Sequence, residues 1–217
     1  MARQFGGFTG RSGGTPLSII RPIANGMGGG LADSDERELI ARLRARDPQA
    51  LGDVFVRLGS AMTTLASSML RNRDEANDVV EDALLRIHAA APGFRGERGL
   101  RTWTLRIVAN LCRDRLRRRR FLAPVSEDAD PFDQAGLSVD PIEEWDHSLD
   151  QSVVARELER AVTTLPTDQR EVVVMRYRLG LSHAEIMETL GVPEGTVKSR
   201  LARAVAALRE RIGGLES

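Results

Sequence analysis

Arg106, Asn110, Arg113, Arg117 and Arg120 recur at steps of three and four residues. On a helix such steps share one face. Residues 101–120 hold eight arginines against a single acidic residue, Asp114. A row of guanidinium groups is suited to phosphates, because each neutralised phosphate releases condensed counterions. Asn110 adds an amide that can pair with a base edge. A face built only for solubility would mix both signs of charge. Just upstream, Phe94 lies among Arg95, Arg98 and the glycines Gly93, Gly96 and Gly99. An aromatic ring on a basic loop can stack on an unpaired base. For a lone aromatic on such a loop, tucking into the core beneath it is the commoner arrangement.

A second constellation lies at residues 182–203. Ser182 and Glu185 have the spacing of a capping box, which sets a helix start. Gly191 suits a left-handed turn after that helix, and Pro193 fits the first turn of the next. Ile186, Leu190, Val197, Leu201, Ala204 and Leu208 face inward. Thr196, Lys198, Ser199, Arg200 and Arg203 form an exposed row near the start of the second helix. Two short helices, a tight turn and a polar, basic second helix are the layout of a helix-turn-helix, which places side chains in the DNA major groove. Arg200 and Arg203 can pair in bidentate fashion with guanine or phosphate.

Helices must carry both sites. Leu39, Ile40 and Leu43 mark a first helix, starting near Ser34. Asp47-Pro48 caps a second, along which Leu51, Val54, Phe55, Leu58, Met62, Leu65 and Met69 keep helical spacing. A third begins near Asp74, buries Val80, Ala83, Leu84 and Ile87, and ends at Pro92-Gly93. The fourth, from about Leu100 to Arg120, turns Leu100, Trp103, Thr104, Ile107, Val108 and Leu111 to the core. Val154, Leu158, Ala161 and Leu165 define a fifth helix, stopped by Pro166. Thr167 caps a sixth, running through Tyr177 with Val172–Met175 as a buried block.

Composition fits this all-α reading. The 217 residues are 41% hydrophobic and only 4% aromatic, so the core is aliphatic. A net charge of zero conceals segregation. Residues 1–120 carry 21 arginines against 13 acidic groups, a net of +8; residues 121–155 carry nine acidic groups and no basic one. Such asymmetry suggests a nucleic-acid surface and a separate acidic connector. The chain divides into a Gly-rich, disordered extension (1–32), a helical unit (33–120), an acidic linker (121–150) and the helix-turn-helix unit (151–217). No apolar run approaches the roughly 18 residues of a membrane span, and no secretory leader is evident, so a cytoplasmic protein without membrane insertion is expected. One cysteine, Cys112, and three scattered histidines exclude an internal disulfide and argue against a metal site. Cys112 is expected at the margin of the apolar face. No nucleophile elbow, P-loop or paired carboxylates occur, so neither catalysis nor a cofactor is expected.

Residues 150–212, with Leu165-Pro166, Gln169-Arg170-Glu171-Val172, Arg176-Tyr177, Gly180-Leu181-Ser182, Gly191-Val192-Pro193 and Gly195 through Leu201, resemble the fourth conserved region of bacterial extracytoplasmic-function (ECF) sigma factors. Residues 74–120, with Asp78-Val79-Val80, the 94–99 loop, Trp103, Asn110 and Arg113-Asp114, resemble the second region. Leu84, His88 and Glu81 depart from residues common in the family. The resemblance implies two small helical domains, region 2 and region 4, joined by the acidic linker. It implies an alternative sigma factor that binds core RNA polymerase and directs promoter recognition, duplex opening and initiation for a stress or envelope regulon. Asp78, Glu81, Asp82 and Arg86 would dock on the β′ clamp helices, and region 4 on the β flap. Phe94, Arg95, Arg98, Arg106, Asn110, Arg113 and Arg117 would capture the minus-ten element; Thr196, Lys198, Ser199, Arg200 and Arg203 would read the minus-thirty-five element. The linker would thread polymerase channels with carboxylates in place of phosphates, and an anti-sigma factor would be a further partner. The competing readings are a stand-alone helix-turn-helix regulator with a helical sensor domain and an interaction module for which DNA contact is incidental.

Overall fold

The computed structural model describes residues 33–122 and 153–213. The expected disordered extension and acidic linker lie outside these residues. Among the described residues there are eight α-helices and no strand: α1 (Asp33–Arg44), α2 (Pro48–Leu70), α3 (Arg73–Ala90), α4 (Leu100–Leu122), α5 (Val153–Thr163), α6 (Thr167–Val173), α7 (His183–Leu190) and α8 (Glu194–Gly213).

Local chemistry sets most boundaries. Asp47 accepts the Gln49 N–H at 2.9 Å ahead of Pro48, as expected of a cap followed by proline. Asn72 caps α3 by accepting the Glu75 N–H at 2.9 Å. In α7, the Ser182 N–H donates to Glu185 Oε2 at 2.7 Å, and Glu185 N–H donates to Ser182 Oγ at 3.2 Å. Gly191 ends α7 at φ 67°, ψ 34°, a left-handed conformation that glycine adopts without a Cβ penalty. Pro193 is not inside α8 but immediately before it, its carbonyl accepting the Thr196 and Val197 N–H groups. Thr167 is likewise not a cap. It is the first residue of α6, and its hydroxyl accepts from Arg170 Nη2 at 3.2 Å. The helix then widens into a π-helical turn over Val174–Arg178.

Helices α2, α3 and α4 pack on one another, α8 packs on α5, α6 and α7, and the two groups meet where α4 touches α7 and α2 touches α6. One apolar core runs through both. Its composition differs from the expected faces in four places. Phe55 is half exposed, because the buried stripe of α2 runs through Val54, Leu58, Met62, Leu65 and Met69 and leaves Phe55 beside it. Leu84 is partly buried while Val79 is fully so. The buried face of α4 keeps the expected Leu100, Thr104, Val108 and Leu111 and widens to Leu105, Ala109 and Cys112, leaving Trp103 and Ile107 on its flank. Cys112 is fully buried, and this burial pushes its thiol up to about 12.

Candidate nucleic-acid interface

The basic face of α4 lies against the C-terminal end of α7. Arg106 Nη1 donates to the Glu188 carbonyl at 3.2 Å, and Arg113 Nη1 donates to the Leu190 carbonyl at 3.2 Å. These are the unpaired carbonyls of a helix end, where the macrodipole is negative. Arg101 donates to the Leu179 carbonyl; it is part-buried, and desolvation lowers its pKa. The expectation of a free arginine row on α4 is therefore corrected. Arg106 and Arg113 are part-buried and held by acceptors of the C-terminal unit. Arg117 remains exposed, pairing with Asp114 at 3.1 Å, and Asn110 is exposed, accepting from Arg113 at 3.4 Å. The side chain of Arg120 lies outside the described residues.

The loop before α4 is organised by an aromatic stack. Phe94 and Trp103 lie with centroids 4.2 Å apart and planes inclined by 16°. The Arg44 guanidinium donates to the Phe94 carbonyl. Both rings stay partly accessible, so Phe94 neither projects freely nor disappears into the core. Arg95 and Arg98 are exposed beside it. A cleft of about 220 Å³ opens between Arg98, Trp103, Arg106 and Asn110 on this side and Glu188 of α7 on the other.

On α8, Lys198, Ser199 and Arg203 are exposed and engage only their own helix. Lys198 pairs with Glu194 at 2.8 Å, Ser199 donates to the Thr196 carbonyl at 3.1 Å, and Arg203 Nε donates to the Ser199 carbonyl at 3.3 Å. Thr196 is half buried. Arg200 departs most from expectation. It is not on the open face but clamped, with Nη1 at 2.9 Å from Glu171 Oε1 and Nε at 3.4 Å from Asp168 Oδ2.

Glu171 is the residue that sequence reasoning missed. It is only 3% exposed, and its second oxygen lies 3.5 Å from Arg113 Nη2. Burial raises its pKa, opposed by Arg113 and Arg200. Neighbouring Arg170 is also buried and donates to the carbonyls of Ser68, Thr163 and Leu165. Burial pulls its pKa down to about 10, so it stays charged at neutral pH. The signal was legible: a charged pair, Arg170-Glu171, runs directly into the apolar block at 172–175 and so shares its buried helix.

The candidate polymerase residues lie on the outer side of α3. Glu81 and Arg86 are exposed. Asp78 and Asp82 are both bound by Arg115 of α4, at 3.2 and 3.1 Å. Leu85, 68% exposed, stands between them as an apolar centre. No cluster of His, Cys, Asp and Glu able to hold a metal occurs among the described residues, and none of their helices is long and apolar enough to cross a membrane.

Comparison with known proteins agrees with this two-part organisation. Residues 54–121 match sigma-70 region 2, and residues 155–208 match sigma-70 region 4. The ECF RNA polymerase sigma factor SigM of Mycobacterium tuberculosis is 34% identical over 191 residues, spanning 87% of this chain and 90% of the relative. SigW of Bacillus subtilis, another ECF RNA polymerase sigma factor, is 31% identical over 184 residues, spanning 82% and 97%. Among solved structures, CnrH in complex with the cytosolic domain of CnrY aligns with a TM-score of 0.58 at 26% identity, over 82% of this chain and 97% of that one. RpoE of Bartonella quintana, bound to the anti-sigma factor NepR, aligns with a TM-score of 0.57 at 24% identity and supports the fold alone. With region 2 and region 4 both matched, in order and over most of its length, the chain belongs to the extracytoplasmic-function group of the sigma-70 family of RNA polymerase sigma factors.

Proposed function

We propose that this ECF sigma factor, a non-enzymatic factor of transcription initiation, works in the cytoplasm and divides promoter reading between its two helical units. Lys198, Ser199 and Arg203, with Thr196 at their edge, read the minus-thirty-five element; Arg200 orients α8 through Asp168 and Glu171. Phe94, Arg95, Arg98, Arg106, Asn110, Arg113 and Arg117 engage the minus-ten element. The cleft beside the Phe94–Trp103 stack receives an unstacked base, offsetting the cost of extruding it. Asp78, Glu81, Asp82 and Arg86 surround Leu85 as the docking site for core polymerase, with an apolar centre and a charged rim. The observation that carries this reading is the exposed trio Lys198, Ser199 and Arg203 on the second helix of a capped helix-turn-helix.

An anti-sigma factor is a further proposed partner, and a stress or envelope regulon the proposed output. Support comes from CnrH, which is more than 25% identical and was solved with a protein partner. Run-off transcription with core polymerase on a GC-rich genomic template tests the function. The expected outcome is a specific transcript that requires both core enzyme and this chain. Specific duplex binding by the chain alone, with no polymerase-dependent transcript over several candidate promoters, favours a stand-alone regulator instead.

A further inference from the structure

One buried carboxylate touches a guanidinium from each of the two helices proposed to meet DNA. Glu171 Oε2 lies 3.5 Å from Arg113 Nη2 on α4, and Glu171 Oε1 lies 2.9 Å from Arg200 Nη1 on α8. Around it, Arg113 and Arg106 also hold carbonyls at the C-terminal end of α7. Each of these acceptors presents to arginine what a phosphate presents: an oxygen carrying full or partial negative charge. We propose that Glu171 is an internal stand-in for DNA phosphate, tying α4 of region 2 to α8 of region 4 and holding the free chain in a closed state that masks its own basic face.

Three observations support a tie that opens. First, a set of polar ties crosses between the halves beside their shared apolar core. Arg113–Glu171, Arg113–Leu190, Arg106–Glu188 and Arg101–Leu179 all cross between α4 and the C-terminal unit, as at interfaces between domains that separate. Second, buried polar atoms on the two helices that meet, α4 and α7, are imperfectly matched. The hydroxyls of Thr104 on α4 and Thr189 on α7 are buried and make no hydrogen bond, whereas a permanent core pairs nearly all such groups. Third, the Glu171 carboxylate is desolvated beyond what its partners offset, so its pKa is raised. Exchanging it for phosphates lets Arg113 leave without stranding a charge. Glu171 remains with Arg200 and Asp168 remains beside it, so α8 keeps its shape while α4 is released.

The proposal rests on the assignment of α4 to DNA, and its test separates the two. The full chain is compared with Glu171→Gln and with Glu38→Gln, which removes the same charge from an exposed site on α1. Small-angle X-ray scattering reports the radius of gyration, and fluorescence anisotropy reports affinity for a labelled 30-base-pair duplex of mixed sequence. Glu171→Gln is expected to enlarge the radius of gyration and to bind the duplex at least about fivefold more tightly than Glu38→Gln, the scale of a modest coupling between sites. Arg113→Gln, which leaves the Glu171–Arg200 pair inside region 4 intact, is expected to enlarge the particle as well. That second variant guards against a Glu171→Gln protein whose region 4 has lost helix, which circular dichroism detects. If neither variant expands the particle, Glu171 is not the tie and the proposal is overturned. If both expand it while duplex affinity stays at the Glu38→Gln value, the tie exists but masks no duplex-binding surface; that overturns the masking, while the α4 assignment stands or falls by the polymerase-dependent transcript.

Discussion

Helices α4 and α8 both carry a basic face, and they use it in opposite ways. On α4, Arg101, Arg106 and Arg113 reach across to carbonyls and a carboxylate of the C-terminal unit, and Arg115 and Arg119 reach back to α3, where Arg119 pairs with Glu75. On α8, Lys198, Ser199 and Arg203 touch only their own helix. Arginine-rich sequence is therefore not the same as available arginine. A guanidinium presents five donors in a fixed fork, and in a compact chain it finds whatever acceptors the fold leaves unpaired. Helix ends are the main supply. The arginines of α4 reach such an end, and Lys198, Ser199 and Arg203 of α8 do not.

The strongest way to break this comparison is to remove the residue that anchors the junction without itself facing DNA. Arg170 is buried and bridges Ser68 of region 2 to Thr163 and Leu165 of region 4. Arg170→Met leaves these carbonyls without their donor, and losses of about 3–5 kcal/mol accompany the breaking of buried charged networks. The expected outcome in a urea titration is a large fall in the unfolding midpoint. A fall below about 1 kcal/mol would mean that the halves do not depend on each other.

A second test probes the opposite side of α4. Cys112 is fully buried and its thiol is raised from 9.0 to about 12. The folded value lies above the unfolded one, so the thiol's contribution is fully present below pH 9. It is then lost as pH rises toward 12. At one pK unit per 1.36 kcal/mol, about 2 kcal/mol should be gone by pH 10.5. Thermal unfolding of the wild type and Cys112→Ala measures it. Their difference in Tm should shrink between pH 8 and 10.5, and a constant difference would mean that the thiolate is tolerated inside.

How far the sequence carried each helix follows from the range of the forces involved. Capping at Asp47, the box at Ser182–Glu185 and the turn at Gly191 depend on neighbours within four residues, and all were legible. The clamp on Arg200 depends on residues 29 and 32 positions away, and periodicity placed it wrongly on the open face. The same limit applies to α4. A helical wheel shows which face is apolar, but a second helix covering the polar face leaves no local mark. Trp103 and Ile107, assigned to the core, sit instead on the flank beside the cleft to α7. Phe55 was assigned inward because its spacing allowed it, and only the packing of α2 on α3 and α4 shows otherwise.

A third measurement sharpens the contrast at the level of single arginines. Arg203→Ala should weaken promoter-specific initiation by about 1–3 kcal/mol at its base or phosphate contact and leave stability within about 0.5 kcal/mol, since the side chain is exposed. Arg113→Ala should lower both, because it removes a partner of the buried Glu171. Transcript yield and Tm for the two variants, taken together, check this. Equal stability loss in both would erase the distinction between spent and available arginines.

The smallest expected effect concerns what keeps α8 available. Its presentation depends on α7, an eight-residue helix that is too short to hold by propensity alone. Two things fix it: the Ser182–Glu185 box at its start and the α4 arginines at its end. Ser182→Ala removes the hydroxyl that accepts the Glu185 N–H, at a cost of about 1 kcal/mol. If the arginines hold the far end only in the closed chain, the loss should be larger in region 4 alone than in the whole protein. Hydrogen exchange at α7 amides reads this locally. Protection should fall about fivefold in the full-length Ser182→Ala protein, the equivalent of about 1 kcal/mol. It should fall further in a Ser182→Ala protein that also carries Arg113→Gln. Identical protection in the single and double variants would show that α4 does not cap α7, and that its arginines are as available as those of α8.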